Sequence, residues 1–214
     1  MLEQTEFVID DGRATDLVER HPWATIISPP FDPSGDLVVS HLPVLQEPGA
    51  RSPVILGHLA AADAKLHQLG EHRVTIVVQG PHGYISPTWY QAGPFVPTWN
   101  FAVVHLHGVP DILDAETTYD ILDATCARME RVRTPAWQLE SVRGYADRIA
   151  PYTTGFRLVP DRIVAKAKMS QDKSSEVVER VISALRTDPF HADPVLADAM
   201  TASHPRISSA AGPS

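Results

Sequence analysis

Histidines near the ends of strand-like segments are the residues of this sequence best suited to chemistry. The chain has ten histidines among 214 residues. Five lie where a barrel strand would present side chains to a ligand: His41, His58, His82, His105 and His107. Imidazole titrates near neutral pH and is the commonest protein ligand of metals. The cluster indicates acid–base or metal chemistry.

A second group of candidates lies in a segment rich in glycine, proline and aromatic residues at 80–90, joined to residues 96–101. One interpretation is a slot for a flat conjugated ligand with a polar edge. The aromatic walls would be Tyr84, Trp89, Tyr90 and Trp99, and the polar groups Ser86, Thr98 and Asn100. The other interpretation is that these aromatic side chains are core residues, and composition alone favours it.

The common catalytic signatures are missing from the sequence. It has no H-E-x-x-H zinc spacing and no G-x-S-x-G nucleophile elbow. It also lacks a Walker A loop and a G-x-G-x-x-G fingerprint. These absences disfavour zinc hydrolysis, serine catalysis, nucleotide hydrolysis and a Rossmann-type dinucleotide site.

Composition and charge limit the partners and the cellular location that we expect for this protein. The net charge of −8, with no Lys/Arg cluster, disfavours nucleic acid as a partner. No apolar run approaches the roughly 20 residues that span a bilayer, and the first residues are acidic where a signal peptide is basic. The single cysteine, Cys126, cannot form an internal disulfide. We therefore expect a cytoplasmic protein without a membrane segment.

Hydrophobic periodicity predicts the elements that must position these residues. Helices are predicted at 10–20, 60–69, 115–133, 139–149, 174–185 and 194–200. Strands are predicted at 23–28, 37–42, 54–58, 72–79, 99–108, 153–159 and 162–168. This order predicts an α+β barrel with peripheral and C-terminal helices, one domain over residues 1–200 and a flexible tail at 201–214.

Several motifs resemble those of one known family. They are Gly57-His58-Leu59-Ala60, the segment at 80–90, Val96-Pro97-Thr98-Trp99-Asn100-Phe101 and Lys166-Ala167-Lys168-Met169-Ser170-Gln171. In this order they are similar to the motifs of PaiB-type proteins, FMN-binding negative transcriptional regulators. The resemblance implies a split β-barrel (FMN-binding split-barrel-like) and a homodimer with cofactor sites near the subunit interface.

The sequence departs from that family at two polar motifs. The family follows its G-H motif with R-x-N-P, whereas this chain has Ala61-Ala62-Asp63-Ala64, and the family's S-Q-N ends here in Asp172. A flavin phosphate prefers cations and N–H donors to a carboxylate. The length, the alanine-rich helix and Asp188-Pro189-Phe190-His191 resemble instead the haem-dependent piperazate synthase branch. That branch forms an N–N bond to cyclise an amino-acid substrate, N5-hydroxy-L-ornithine, to L-piperazic acid.

This resemblance implies roles for the candidate residues. His58 is the predicted axial ligand of haem b, with His82 and His41 as reserves. Lys166 and Lys168, two residues apart on one strand, would meet the propionates, or else form a solvated strand face. The predicted cofactor-binding set is His58, His82, Trp89, Thr98, Trp99, Asn100, Lys166 and Lys168. His105 or Tyr84 is the predicted catalytic base.

Two alternatives remain from the same resemblance. One is an FMN-binding regulator without catalysis, for which the sequence offers no helix-turn-helix signature. The other is a flavin-dependent oxidoreductase on the same barrel. The bound cofactor distinguishes both from the haem enzyme.

Overall fold

The computed structural model describes residues 1, 4–32 and 34–204. Within these residues the strands are β1 (Trp23–Ser28), β2 (Val38–Gln46), β3 (Ile55–Ala60), β4 (Val74–Ile85), β5 (Thr98–Gly108), β6 (Asp111–Ile112), β7 (Thr153–Leu158) and β8 (Arg162–Lys168). The α-helices are α1 (Asp11–Arg20), α2 (Ala61–Leu66), α3 (Pro87–Tyr90), α4 (Ala115–Glu130), α5 (Arg143–Ile149), α6 (Ser175–Thr187) and α7 (Pro194–Ser203). Short 3-10 helices lie at Thr5–Phe7, Leu139–Val142 and Ala150–Tyr152.

The strands follow the order β6-β7-β3-β2-β1-β4-β5-β8 in the sheet. β1 pairs antiparallel with β2, so the predicted hairpin is confirmed. β2 was predicted to end at residue 42, but it continues to Gln46. The reason is a change of partner, since its first part pairs with β1 and residues 44–46 pair with β3. A second neighbour extends the strand past Pro43.

The chain divides into two compact units. The first comprises Met1–Asp10, Gln79–Val103 and Val164–Ser214, and the second Asp11–Val78 and Val104–Ile163. The largest fully buried side chains of the first unit include Tyr90, Met169, Leu185 and Leu196. Those of the second include Ile26, Leu42, Ile76, Phe156 and Leu158. The prediction of one domain over residues 1–200 stays a prediction.

The predicted loop at 80–90 is wrong in its first half. β4 continues to Ile85 through Gly80 and Pro81, and only then does α3 begin at Pro87. Ser86 caps α3, because its hydroxyl accepts a hydrogen bond from the backbone N–H of Thr88. Sheet pairing thus overrides the turn propensity of glycine and proline.

In the second unit, α4 packs closely against the backbone of β7. A Cβ at Gly155 would lie 2.5 Å from Oγ1 of Thr118. The same hydroxyl accepts a hydrogen bond from the backbone N–H of Gly155 at 3.1 Å. Glycine is therefore required there by contact with the helix.

The C-terminal helix α7 reaches Ser203, three residues beyond its predicted end and inside the predicted tail. Asp193 caps it by accepting from the backbone N–H of Leu196 at 2.9 Å. The rest of the predicted tail, residues 205–214, lies outside the described residues. None of the described helices is both long and apolar enough to cross a membrane. The cytoplasmic location stays a prediction.

Candidate functional site

The first unit contains a cavity of about 320 Å³ beside β4 and β5. Its lining is His82, Gly83, Tyr84, Trp99, Leu185, His191, Ala192 and Asp193. His82 stacks on Trp99, with ring centroids 6.4 Å apart and planes at 22°. Tyr84 meets Trp99 edge-on at 6.5 Å. The structure therefore brings three of the predicted site residues together, as a partly exposed aromatic group.

His191 also belongs to this cavity and was not among the predicted site residues. Its ring lies 5.1 Å from that of Tyr84. Asp188 holds the segment, because one carboxylate oxygen accepts from the backbone N–H groups of Phe190 and His191, both at 2.9 Å. The hydrogen bond from Phe190, and to a smaller extent that from His191, lowers the pKa of Asp188. The available sequence signal is Asp188-Pro189-Phe190-His191, which resembles the piperazate synthase branch and has no role assigned by that resemblance.

Trp89 and Tyr90 lie in the interior of the first unit. Trp89 is buried, and its indole N–H donates to the second carboxylate oxygen of Asp188 at 3.0 Å. Tyr90 is also buried, and its carbonyl accepts a hydrogen bond from Arg180 at 2.9 Å. Trp89 and Tyr90 are therefore core residues, as the core interpretation of these aromatics expects.

A buried polar cluster lies at the start of β5. The amide nitrogen of Asn100 donates to the hydroxyl of Ser170 at 2.9 Å and contacts the sulfur of Met200 at 3.3 Å. Nearby, Lys168 donates to the hydroxyl of Thr98. Burial lowers the pKa of Lys168. Thr98 and Asn100 thus connect β5 to the end of β8 and to α7.

Lys166 has a different environment from Lys168 although both lie on β8. Its side chain is buried, 8% exposed, which excludes a solvated strand face at this position. The ammonium lies 5.3 Å from the ring centroid of Phe7 and 5.8 Å from that of Phe101. Cation–π contacts of this kind offset part of the cost of burying the charge.

His58, the predicted axial ligand, lies in the second unit on β3. Its Nδ1 is buried and has no hydrogen-bond partner in the described part of the chain. Burial lowers the pKa of this imidazole, which favours the neutral form that binds metals. An unpartnered buried ring nitrogen costs free energy unless a ligand satisfies it.

His67 and His41, also in the second unit, are hydrogen-bonded to hydroxyl groups. His67 bonds Ser28 at 2.7 Å and Ser40 at 3.0 Å. His41, a reserve ligand in the prediction, bonds Thr25 at 3.1 Å. These imidazoles are satisfied by the protein itself, whereas His58 is not.

His105, the predicted base, is half-buried on β5 in the second unit. Its ring centroid lies 6.3 Å from that of His107, which bonds the hydroxyl of Thr75 at 2.9 Å. Burial lowers the pKa of His105, and His107 lowers it further. His105 is therefore neutral at pH 7 and can accept a proton.

Among residues 1, 4–32 and 34–204, no three histidine, cysteine or carboxylate side chains group to hold a metal ion. A haem iron needs fewer protein ligands than a metal ion held by side chains alone, because the porphyrin supplies its equatorial ligands. A single unpartnered imidazole such as His58 fits that requirement.

Comparison with known proteins identifies the family. A family model described as “Putative FMN-binding domain” matches residues 1–162. The chain belongs to this FMN-binding family. Protease synthase and sporulation protein PAI 2 of Bacillus subtilis (strain 168) is 26% identical over 174 residues, which cover 80% of this chain and 82% of the relative. The predicted PaiB-type relationship is therefore confirmed, and its piperazate synthase branch stays a prediction.

Two solved structures resemble this member of the FMN-binding family. The FAD and haem binding protein from Mycobacterium smegmatis has a TM-score of 0.55 and 16% identity, covering 81% of this chain and 79% of that one. Conserved hypothetical protein Rv2991 from Mycobacterium tuberculosis has a TM-score of 0.57 and 14% identity, covering 81% and 94%. At these identities the likeness concerns the fold alone, and it confirms the predicted α+β split β-barrel class.

Proposed function

We propose that this chain is a haem-dependent piperazate synthase that cyclises N5-hydroxy-L-ornithine to L-piperazic acid. The observation that carries the proposal is the buried Nδ1 of His58, which has no hydrogen-bond partner among residues 1, 4–32 and 34–204. A neutral imidazole is the commonest axial ligand of b-type haem. The M. smegmatis protein of similar fold, named for binding FAD and haem, is consistent with haem on such a barrel.

The residues after His58 favour haem over flavin in this proposal. Small side chains, Ala61, Ala62 and Ala64, follow it in α2, which also carries Asp63 and, in its last turn, Lys65. A flat porphyrin can approach a helix of small residues, whereas a flavin phosphate requires cations or free N–H donors. Lys166 and Lys168 belong to the other compact unit, and their pairing with the haem propionates stays a prediction.

The proposed cyclisation is redox-neutral. The α-amine attacks N5, the N–O bond breaks, and water leaves. Bound haem iron would supply a Lewis acid that makes the hydroxyl of the hydroxylamine a better leaving group. The α-amine must lose a proton, and His105 can take it because burial keeps its imidazole neutral. The alternative base, Tyr84, belongs to the other compact unit and stays a prediction.

A homodimer is part of the proposal. Large apolar side chains are exposed on the outer face of the β1–β2 hairpin, including Trp23 at 63% and Val39 at 52%. The register places both on one face, since Ile27 pairs with Val39 and shares its face with Trp23. Exposed apolar patches of this kind are typical of protein–protein contacts.

An FMN-binding regulator is the second candidate. The family description over residues 1–162 and the PAI 2 relative favour it. It requires bound flavin and a DNA-binding surface, which the net charge of −8 disfavours. A flavin oxidoreductase would share the first requirement and turn over with a nicotinamide cofactor.

An absorption spectrum of the purified protein, expressed with haem supplied, tests the proposal. We expect an intense Soret band that is lost or shifted in His58→Ala. His72→Ala is the comparison variant, since Nε2 of His72 is likewise buried without a partner among the described residues, and loss of the band there instead would assign the ligand to His72. We expect His72→Ala to leave the band unchanged. Circular dichroism verifies that both variants fold.

The loaded protein is then assayed with N5-hydroxy-L-ornithine. We expect L-piperazic acid from the wild type and at least a tenfold lower rate from His58→Ala. Flavin absorption with no Soret band would overturn the haem proposal in favour of the FMN-binding regulator or an oxidoreductase. A Soret band with no cyclised product would support haem binding but refute the proposed cyclisation.

A further inference from the structure

The second unit contains another cavity, of about 650 Å³, that the proposed reaction does not use. α1, β2, the turn after β2 and α4 contribute to its walls. Leu45, Leu56, Leu113 and Ile121 are among its apolar lining residues. The volume lies within the range of small-molecule sites.

One face of α4 runs along this cavity. Thr117, Ile121, Ala124 and Arg128 follow one another at intervals of four, three and four residues and all line it. This spacing places them in a single stripe on the helix. From Thr117 to Arg128 the stripe is about 16 Å long. The cavity is therefore long enough for an extended ligand lying along the helix.

Arg128 ends this stripe as a half-buried guanidinium that faces the cavity. Across residues 1, 4–32 and 34–204, no carboxylate forms an ion pair with it. The neighbouring Arg133 is paired with Glu130 at 2.8 Å. A guanidinium presents parallel N–H donors that match a carboxylate.

The other arginine at the cavity is already satisfied. Arg157 donates to both carboxylate oxygens of Glu47, at 2.6 and 2.7 Å. This bond lowers the pKa of Glu47 and raises that of Arg157, so both stay charged. The pair is neutral as a whole, which leaves Arg128 as the cation available to a ligand.

The rim of the cavity is held in place before any ligand arrives. The side chain of Gln46 accepts from the backbone N–H of Val54 at 3.3 Å and donates to the carbonyl of Ser52 at 3.3 Å. The backbone N–H of Glu47 donates to the carbonyl of Val54 at 2.9 Å. A preformed site loses less entropy on binding.

The remaining charges restrict the ligand. Glu19 and Asp120 are exposed carboxylates at the cavity, and Asp120 lies about 12 Å along α4 from Arg128. They would repel a phosphate or a dicarboxylate that extended past Arg128. A single negative charge at one end of an apolar body fits this pattern.

We propose that this cavity binds a small monocarboxylic acid with an extended apolar body. Its carboxylate pairs with Arg128, and its body lies along Leu45, Leu56 and Ile121. The site is separate from the haem chemistry and does not rest on it.

Calorimetric titration of the full chain with octanoate tests this inference. We expect saturable binding that weakens about tenfold in Arg128→Gln, the loss typical of a charge-assisted hydrogen bond. Arg128→Lys should bind octanoate with an affinity between those of the wild type and Arg128→Gln, because lysine keeps the charge but lacks the parallel N–H donors of a guanidinium. The matched control is Arg131→Gln, which removes the same charge from the C-terminal cap of α4, outside the lining.

Octylamine carries the opposite charge on an alkyl chain similar to that of octanoate. We expect it to bind at least tenfold more weakly than octanoate. Equal binding of octanoate by wild type and Arg128→Gln would overturn the proposal, as would equal binding of octylamine and octanoate. Absence of octanoate binding to the folded wild type would also overturn it.

Discussion

At the scale of single residues, hydrogen-bond partners separate histidines that look alike in the sequence. His67 is fully buried and bonded through both ring nitrogens, to Ser28 and Ser40. His58 is half-buried and has a ring nitrogen without a partner among the residues that the structure describes. We infer that His67 stabilises the second unit, whereas His58 is available to a ligand.

Replacing His67 should therefore destabilise the protein. His67→Ala removes buried volume and leaves the buried hydroxyl of Ser28 without a partner, so we expect a loss of about 2–4 kcal/mol in the free energy of unfolding. Urea denaturation at pH 7.5 measures it. His41→Ala, at an exposed position bonded to Thr25, is the control and should cost less than about 1 kcal/mol. Equal losses would contradict the structural role.

The pH dependence of stability follows from the same residue. Burial lowers the pKa of His67, so the unfolded chain, with a histidine pKa of about 6.5, binds a proton more readily than the folded one. Its stabilising contribution is present above that pH and is lost as the pH falls below it. We expect the free energy of unfolding to decrease between pH 7 and 5, with a smaller decrease in His67→Ala. A larger decrease in the variant would contradict this assignment.

At the scale of elements, α4 packs against β7 in the second unit. The backbone N–H of Gly155 donates to the hydroxyl of Thr118, and a Cβ at Gly155 would lie too close to that hydroxyl. α4 begins at a cap in which Asp114 accepts from the backbone N–H of Thr117 at 2.8 Å. The helix therefore has a fixed start and a fixed approach to β7.

Gly155→Ala should disrupt this packing. The added methyl would meet Oγ1 of Thr118 at 2.5 Å, and we expect a loss of about 1–3 kcal/mol in the free energy of unfolding. The control is Gly144→Ala in α5, where a Cβ has nothing within 4 Å. Because alanine is the better helix former, that change should be neutral or stabilising. Urea denaturation of both variants measures the difference, and unchanged stability in Gly155→Ala would refute the close contact.

At the scale of the whole molecule, charge and exposed apolar surface bear on association. The net charge of −8 disfavours nucleic acid. Trp23 and Val39 instead present apolar surface on the β1–β2 hairpin. This combination favours a protein partner, and a second copy of the chain is the proposed one.

Sedimentation tests that association. We expect a mass about twice the 23.4 kDa of the chain. Trp23→Glu should shift the protein toward the monomer, because a carboxylate would be buried without a partner. Phe31→Glu is the control, since Phe31 is 82% exposed in the turn after β1. A monomeric wild type, or equal shifts in both variants, would contradict the proposed interface.

The sequence by itself determined the elements whose signals are local. β1 and β8 have the predicted bounds, and α1 begins one residue from its predicted start. Pro22 and the β-branched run after it define β1 without any distant contact. The ordered motifs from Gly57 to Gln171 likewise determined the family, because they are properties of the chain alone.

The tertiary structure decided what depends on partners distant in sequence. β4 runs through Gly80 and Pro81 because strand pairing outweighs local turn propensity. His191 joins His82, Tyr84 and Trp99 only because Asp188 holds its segment at the cavity. Whether a histidine is satisfied, as His67 is, or unpartnered, as His58 is, depends on hydroxyl groups many residues away. Burial and hydrogen bonding are properties of three-dimensional neighbours, so residue type and spacing could nominate these side chains but could not assign their environments.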